Sequence, residues 1–159
     1  MIWSLLLVAA AFVAMEPITA LTHRCIMHGV GRALHRSHHT NAARGTPSRF
    51  EANDAYPVMF ASVVMFGFAV GFNRAGWQWL VPIGIGITLY GAAYALVHDC
   101  YVHRRLALFG DRRFTALDRL AAAHQQHHVV GGAPYGMLLP VTAQRRRSGQ
   151  RVATIPSTR

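Results

Sequence analysis

Three stretches of this 159-residue chain stay apolar long enough to cross a bilayer, which takes about 20 mostly apolar residues in helical form. They cover residues 2–22, 55–72 and 77–97. Only Asn73, Arg74, Ala75 and Gly76 separate the second from the third, so these two are expected to form a tight helical hairpin. A further apolar piece, 133–143, is too short to cross and is expected to lie at the interface or to re-enter. The pattern predicts an all-α integral membrane protein of three transmembrane helices, or four if the last piece is counted, with a cytoplasmic helical cap. One domain is expected over 1–145, followed by a flexible basic tail over 146–159.

Composition narrows the class. Hydrophobic residues make up 52% and charged residues 14%, against roughly 25% charged in a soluble protein. A disordered chain and a water-soluble globule are both excluded. Two cysteines, Cys25 and Cys100, are too few for a disulfide framework and should stay unpaired in a reducing cytoplasm. No cation precedes the first apolar run, so it does not read as a signal peptide.

The formal charge of +10 comes entirely from arginine on the basic side. Arg24, Arg32, Arg36, Arg44 and Arg49 lie between spans one and two; Arg74 alone lies between spans two and three; the rest follow span three. Positive loops stay inside, which places 23–54 and 98–159 in the cytoplasm and the N-terminus outside. Trp3, Trp77 and Trp79 then fall together at the outer interface, where an aromatic belt is expected. Arginine beside lipid is accounted for by topology and headgroup contact, so no nucleic-acid partner is expected.

All ten histidines fall in four short motifs: His23/His28, His35/His38/His39, His98/His103 and His124/His127/His128. The pattern is H-x4-H followed by H-x2-H-H, then the same pair again. Helical positions i, i+3 and i+4 span an arc of roughly 100°, so each triplet is expected to converge on one point. Positions i and i+5 stand about 140° apart, so each H-x4-H pair must grip from two sides or distort its helix. Ten imidazoles exceed what one ion takes and suit two adjacent metals. Imidazole serves zinc, copper, iron and nickel alike, so the ligands do not choose the element. A dimetal site with open positions beside the membrane points to oxygen activation. A haem protein would need histidine pairs facing each other within the bilayer, and a metal transporter would place polar ligands at mid-membrane; neither pattern is present.

These motifs, in this order, resemble the membrane fatty-acid-hydroxylase/sterol-desaturase superfamily, and within it the bacterial beta-carotene 3-hydroxylase branch. The likeness is carried by Met15-Glu16, His23 with Ile26-Met27-His28-Gly29, His35 with Ser37-His38-His39, Glu51 with Asn53-Asp54, Tyr90-Gly91, Val97-His98-Asp99, Val102-His103 and Ala123-His124 with His127-His128-Val130. It covers residues 15–130. Cys100, Arg104-Arg105-Leu106 and Ala133-Pro134-Tyr135-Gly136-Met137 depart from that pattern and touch no motif histidine. The resemblance implies a diiron mixed-function oxidase with the ten histidines as ligands and O2 as co-substrate. It implies hydroxylation of the beta-ionone ring at carbon 3, from beta-carotene through beta-cryptoxanthin to zeaxanthin, with electrons from ferredoxin and its reductase. It further implies a multi-pass protein of the inner (cytoplasmic) membrane whose site faces the cytoplasm. A sibling activity on another lipid (ketolase, desaturase or fatty-acyl hydroxylase) and a non-catalytic metal-binding or transport protein are the alternatives.

Four polar residues are candidates to support the ligands. Asp99 adjoins His98, and a metal-bound imidazole commonly donates its other N–H to a carboxylate. Glu16 lies in span one, seven residues before His23 and so near the same face, where an ionisable group is costly; it is expected to orient a ligand or a partner helix. Asn53 and Asp54 precede span two, where capping is the leading expectation and ligand support the second. The small residues of span three, Gly84, Gly86 and Gly91 among them, either let helices approach or leave room for a polyene.

Overall fold

A computed structural model describes residues 1–44 and 50–139. The basic tail over 146–159 and the end of the 133–143 piece lie outside the described residues. Five α-helices occur among the described residues: α1 (Ile2–Leu21), α2 (Arg32–Arg44), α3 (Ala55–Asn73), α4 (Leu80–Ala95) and α5 (Thr115–Val130). Two π-helices, Thr22–Val30 and Leu96–Val102, extend α1 and α4, and a 3₁₀ turn, Ala52–Asp54, leads into α3. Three of the continuous helical stretches are long and apolar enough to cross a membrane: Ile2–Val30, Ala52–Asn73 and Leu80–Val102. Leu5, Val13, Val63 and Phe66 point outward from them, as a lipid solvent allows.

The third span begins later than its hydropathy predicts. Helix α4 starts at Leu80, because Gly76 takes a left-handed φ of 82° and donates its N–H to the Gln78 side chain. Trp77 and Trp79 stack in that turn, their ring centroids 5.7 Å apart.

Helix α4 packs against both α1 and α3. At Gly86 a β-carbon would collide with the Val8 carbonyl and stand 2.8 Å from the Ala11 β-carbon, so glycine is what lets α1 and α4 approach. At Gly84 it would stand 2.6 Å from Phe68 of α3. Gly91 differs: a β-carbon there meets nothing within 4 Å. Packing is thus the role of Gly84 and Gly86, and open space the property of Gly91.

Glu16 is buried in α1 and accepts hydrogen bonds from the Tyr90 hydroxyl of α4 (2.6 Å) and from the backbone N–H groups of Leu138 (3.2 Å) and Leu139 (2.9 Å). It therefore orients a partner helix, and reaches the histidines only through the chain that follows α5. That chain, 131–139, is not helical. It folds back onto α1 with Pro134 and Met137 buried.

Candidate metal centre

His23 and His28 lie on the first π-helix; His98 lies on the second, and His103 follows directly as its cap. There the hydrogen bond runs from residue i+5 to residue i, as from the His103 N–H to the His98 carbonyl (2.9 Å) and from the Gly31 N–H to the Ile26 carbonyl (2.8 Å). The wider turn brings residues five apart onto one side: ring centroids are 5.0 Å apart for His23/His28 and 4.5 Å for His98/His103. Of the two arrangements the spacing left open, gripping from two sides or distorting the helix, the second is the one observed.

The triplets do not converge on single points. The structure forms two clusters: the ligand nitrogens of His23, His28, His35, His39 and His127 lie within 4.8 Å of one another, and so do those of His38, His103, His124 and His128. His98 joins the second, its ring 4.9 Å from that of His38 and 4.8 Å from that of His124. On a helix, residues i and i+4 stand about 40° apart while i+3 lies about 60° to the other side. So α2 directs His35 and His39 to the first cluster and His38 to the second, and α5 directs His124 and His128 to the second and His127 to the first. The roughly 100° arc is wide enough for each helix to stand between the clusters and serve both.

Outer partners fix the inward nitrogens of five histidines, whereas the buried Nδ1 of His128 has none. The Nδ1–H groups donate to oxygen acceptors: His23 to the Tyr135 carbonyl (3.0 Å), His35 to Asn53 Oδ1 (2.7 Å), His38 to Glu51 Oε2 (3.0 Å), His98 to Asp99 Oδ1 (2.9 Å) and His127 to the Gly132 carbonyl. A neutral imidazole with Nδ1 protonated has a bare lone pair at Nε2. Those bare nitrogens face each other: His23 Nε2 lies 3.1 Å from His35 Nε2, with no proton to place between them, and the buried Nε2 of His38 has no partner. Such a set of inward lone pairs fits a shared cation. Burial, reinforced by like neighbours, holds His39 down at about 4, His103 at about 3 and His128 at about 2, and burial outweighs the Asn53 bond to hold His35 at about 4. Deprotonated imidazoles at neutral pH are the form that ligates.

Of the four predicted supporting residues, Asp99 and Asn53 each accept from a histidine. Asp54 instead accepts the Glu51 N–H (2.9 Å) and a two-pronged pair from Arg105 (2.8 and 2.7 Å). As the last residue of the 3₁₀ turn, it caps the start of that turn and clamps Arg105, while α3 itself has no side-chain cap. Glu16 has its partners elsewhere because α1 carries it two helical turns below His23. Sequence reasoning gave Glu51 no such role, although an acid in an arginine-rich loop was the available signal. The Tyr135 and Gly132 carbonyls leave no trace in side-chain identity. Cys25 is exposed, and neither cysteine belongs to a cluster.

An apolar cavity of about 460 Å³ lies among α1, α3 and α4, lined by Met15, Phe60, Val64, Ile87 and Gly91 and reaching His23 and His98. One histidine of each cluster thus faces the same cavity.

Residues 8–143 match the fatty acid hydroxylase family. The chain belongs to that family. Relatives include the beta-carotene hydroxylase of Pseudescherichia vulneris, 46% identical over 80% of this chain and 69% of that protein. That of Pantoea ananas is 41% identical over 82% of this chain and 71% of that protein, and that of Paracoccus sp. (strain PC1) is 38% identical over 80% and 75%. No solved structure matches the chain. As a fatty acid hydroxylase family member the chain is an enzyme, and its ten histidines and its cavity are the parts to which a hydroxylase chemistry must be fitted.

Proposed function

We propose that this enzyme hydroxylates carotenoid rings at carbon 3, turning beta-carotene into beta-cryptoxanthin and then zeaxanthin, with O2 as co-substrate and two iron ions held by the ten histidines. One observation carries the reading: an apolar cavity among the membrane spans ends on a histidine of each cluster, in a chain 38–46% identical to proteins named beta-carotene hydroxylase. When bound, the ions supply activation of O2 toward an unactivated C–H bond. The other tasks fall to residues of this chain. Met15, Phe60, Val64 and Ile87 bind a hydrocarbon that already partitions into lipid, and Gly91 leaves the width for it. Glu51, Asn53, Asp99 and the carbonyls of Gly132 and Tyr135 hold the Nδ1 protons of His38, His35, His98, His127 and His23 and so aim the Nε2 atoms of those five.

The arginine distribution supports an inner-membrane protein with its histidines toward the cytoplasm, where ferredoxin and its reductase would deliver electrons. Expression in a bacterium that accumulates beta-carotene, followed by pigment analysis, tests the reading. Beta-cryptoxanthin and zeaxanthin are expected; a membrane-inserted chain that yields only unmodified beta-carotene, or a ketocarotenoid, overturns it.

A further inference from the structure

The two clusters contain five histidines each, yet what stands behind them differs. In the first, the outer acceptors are neutral: the Asn53 amide oxygen behind His35 and the backbone carbonyls of Tyr135 and Gly132 behind His23 and His127. In the second they are carboxylates, Glu51 behind His38 and Asp99 behind His98. The Glu51 side chain is 4% exposed, so its charge is little screened by water. Its other oxygen accepts from the Asn41 amide (3.1 Å), which leaves the charge in place. Asp99 is tempered by Arg105 at 3.4 Å, but that guanidinium makes its two shorter bonds to Asp54.

A carboxylate facing the Nδ1–H draws that proton harder than a carbonyl does, which raises the basicity of Nε2. It also puts a full negative charge near a divalent ion. We propose that the two ion positions are unequal, and that the position built around His38 and His98 retains its cation more firmly than the one built around His23 and His35. The proposal rests on the reading that each cluster holds an ion, and extends it to the residues that set how tightly.

The test uses the full chain in detergent micelles, loaded with two equivalents of Co(II) and challenged with EDTA, with cobalt loss followed by its visible absorption. Two phases are expected. His124→Ala should remove the slow phase and His28→Ala the fast one. Glu51→Gln should accelerate the slow phase about 10–100-fold, the usual cost of losing an outer partner, and leave the fast phase unmoved. Asn53→Asp should slow the fast phase, an effect that damaged folding cannot mimic; if Glu51→Gln does not fold, Asp99→Asn replaces it. A single rate for two ions, an unchanged slow phase in Glu51→Gln, or a slow phase lost in His28→Ala overturns the inequality alone. A chain that binds fewer than two ions overturns the dimetal reading beneath it as well.

Discussion

The two halves of the molecule repeat one plan. In each, a membrane helix runs into a π-helix with an H-x4-H pair, and a helix of the cap follows with an H-x2-H-H triplet. The first half supplies His23, His28, His35 and His39 to one cluster, and the second supplies His98, His103, His124 and His128 to the other. Each then lends one histidine across: His38 goes to the second cluster and His127 to the first. Neither half completes its own cluster. A repeated motif has become a mutual dependence, because the i+3 histidine of each triplet points away from its i and i+4 companions.

The exchanged histidines are where this comparison breaks most severely. His38→Ala and His127→Ala should each drop hydroxylated product below detection while the chain still inserts, since insertion depends on the apolar spans. Metal analysis should find the loss at the cluster that received the histidine, not at the one beside its own half. Retained turnover in either variant would count against the ligand assignment.

Next in size is the cavity that both halves share. Gly91→Leu should narrow it and cut turnover severely with both ions retained, read by product yield and metal content together. A turnover as high as that of the unaltered chain would show that substrate lies elsewhere.

Acid should then affect both clusters alike. His35 and His39 in one, and His103 and His128 in the other, are held well below their ordinary value of 6.5, between about 2 and about 4. Between those values and 6.5 the unfolded chain binds more protons than the folded one, so stability rises with pH there. The metal-free protein should lose thermal stability as pH falls from about 6.5 toward 4, and bound metal should raise the Tm without removing that dependence, because ligation also keeps the imidazoles unprotonated. A Tm independent of pH in the metal-free chain would contradict the buried, neutral imidazoles.

Smaller effects sharpen the contrast between joints. Gly86→Leu, at the contact of α1 with α4, should cost about 1–3 kcal/mol of stability by overpacking, whereas Gly91→Ala should cost little. Tyr56 donates to the Gly31 carbonyl (2.8 Å) and ties α3 to the end of the first π-helix; Tyr56→Phe should cost about 1 kcal/mol. Tyr101 serves the second half by donating to Asp118 and accepting from the Phe114 N–H. Tyr101→Phe should destabilise more than Tyr56→Phe, because two bonds go with one hydroxyl. Thermal unfolding in detergent ranks all four.

The sequence by itself determined the membrane class, the three spans and the four histidine motifs. Hydropathy and ligand chemistry belong to residues one at a time, and periodicity is local. It also narrowed each H-x4-H pair to gripping from two sides or distorting its helix, and the π-helices show the second. Only the tertiary structure decided how the histidines are divided, that Glu51 and Asn53 stand behind them, that Gly86 packs while Gly91 leaves space, and that Glu16 holds the chain after α5. Those outcomes depend on which distant segments come to lie side by side: His23 meets the Tyr135 carbonyl across 112 residues, and no local pattern records such a meeting. A backbone carbonyl, moreover, is the same atom in every residue, so its choice as a partner is written only in the fold.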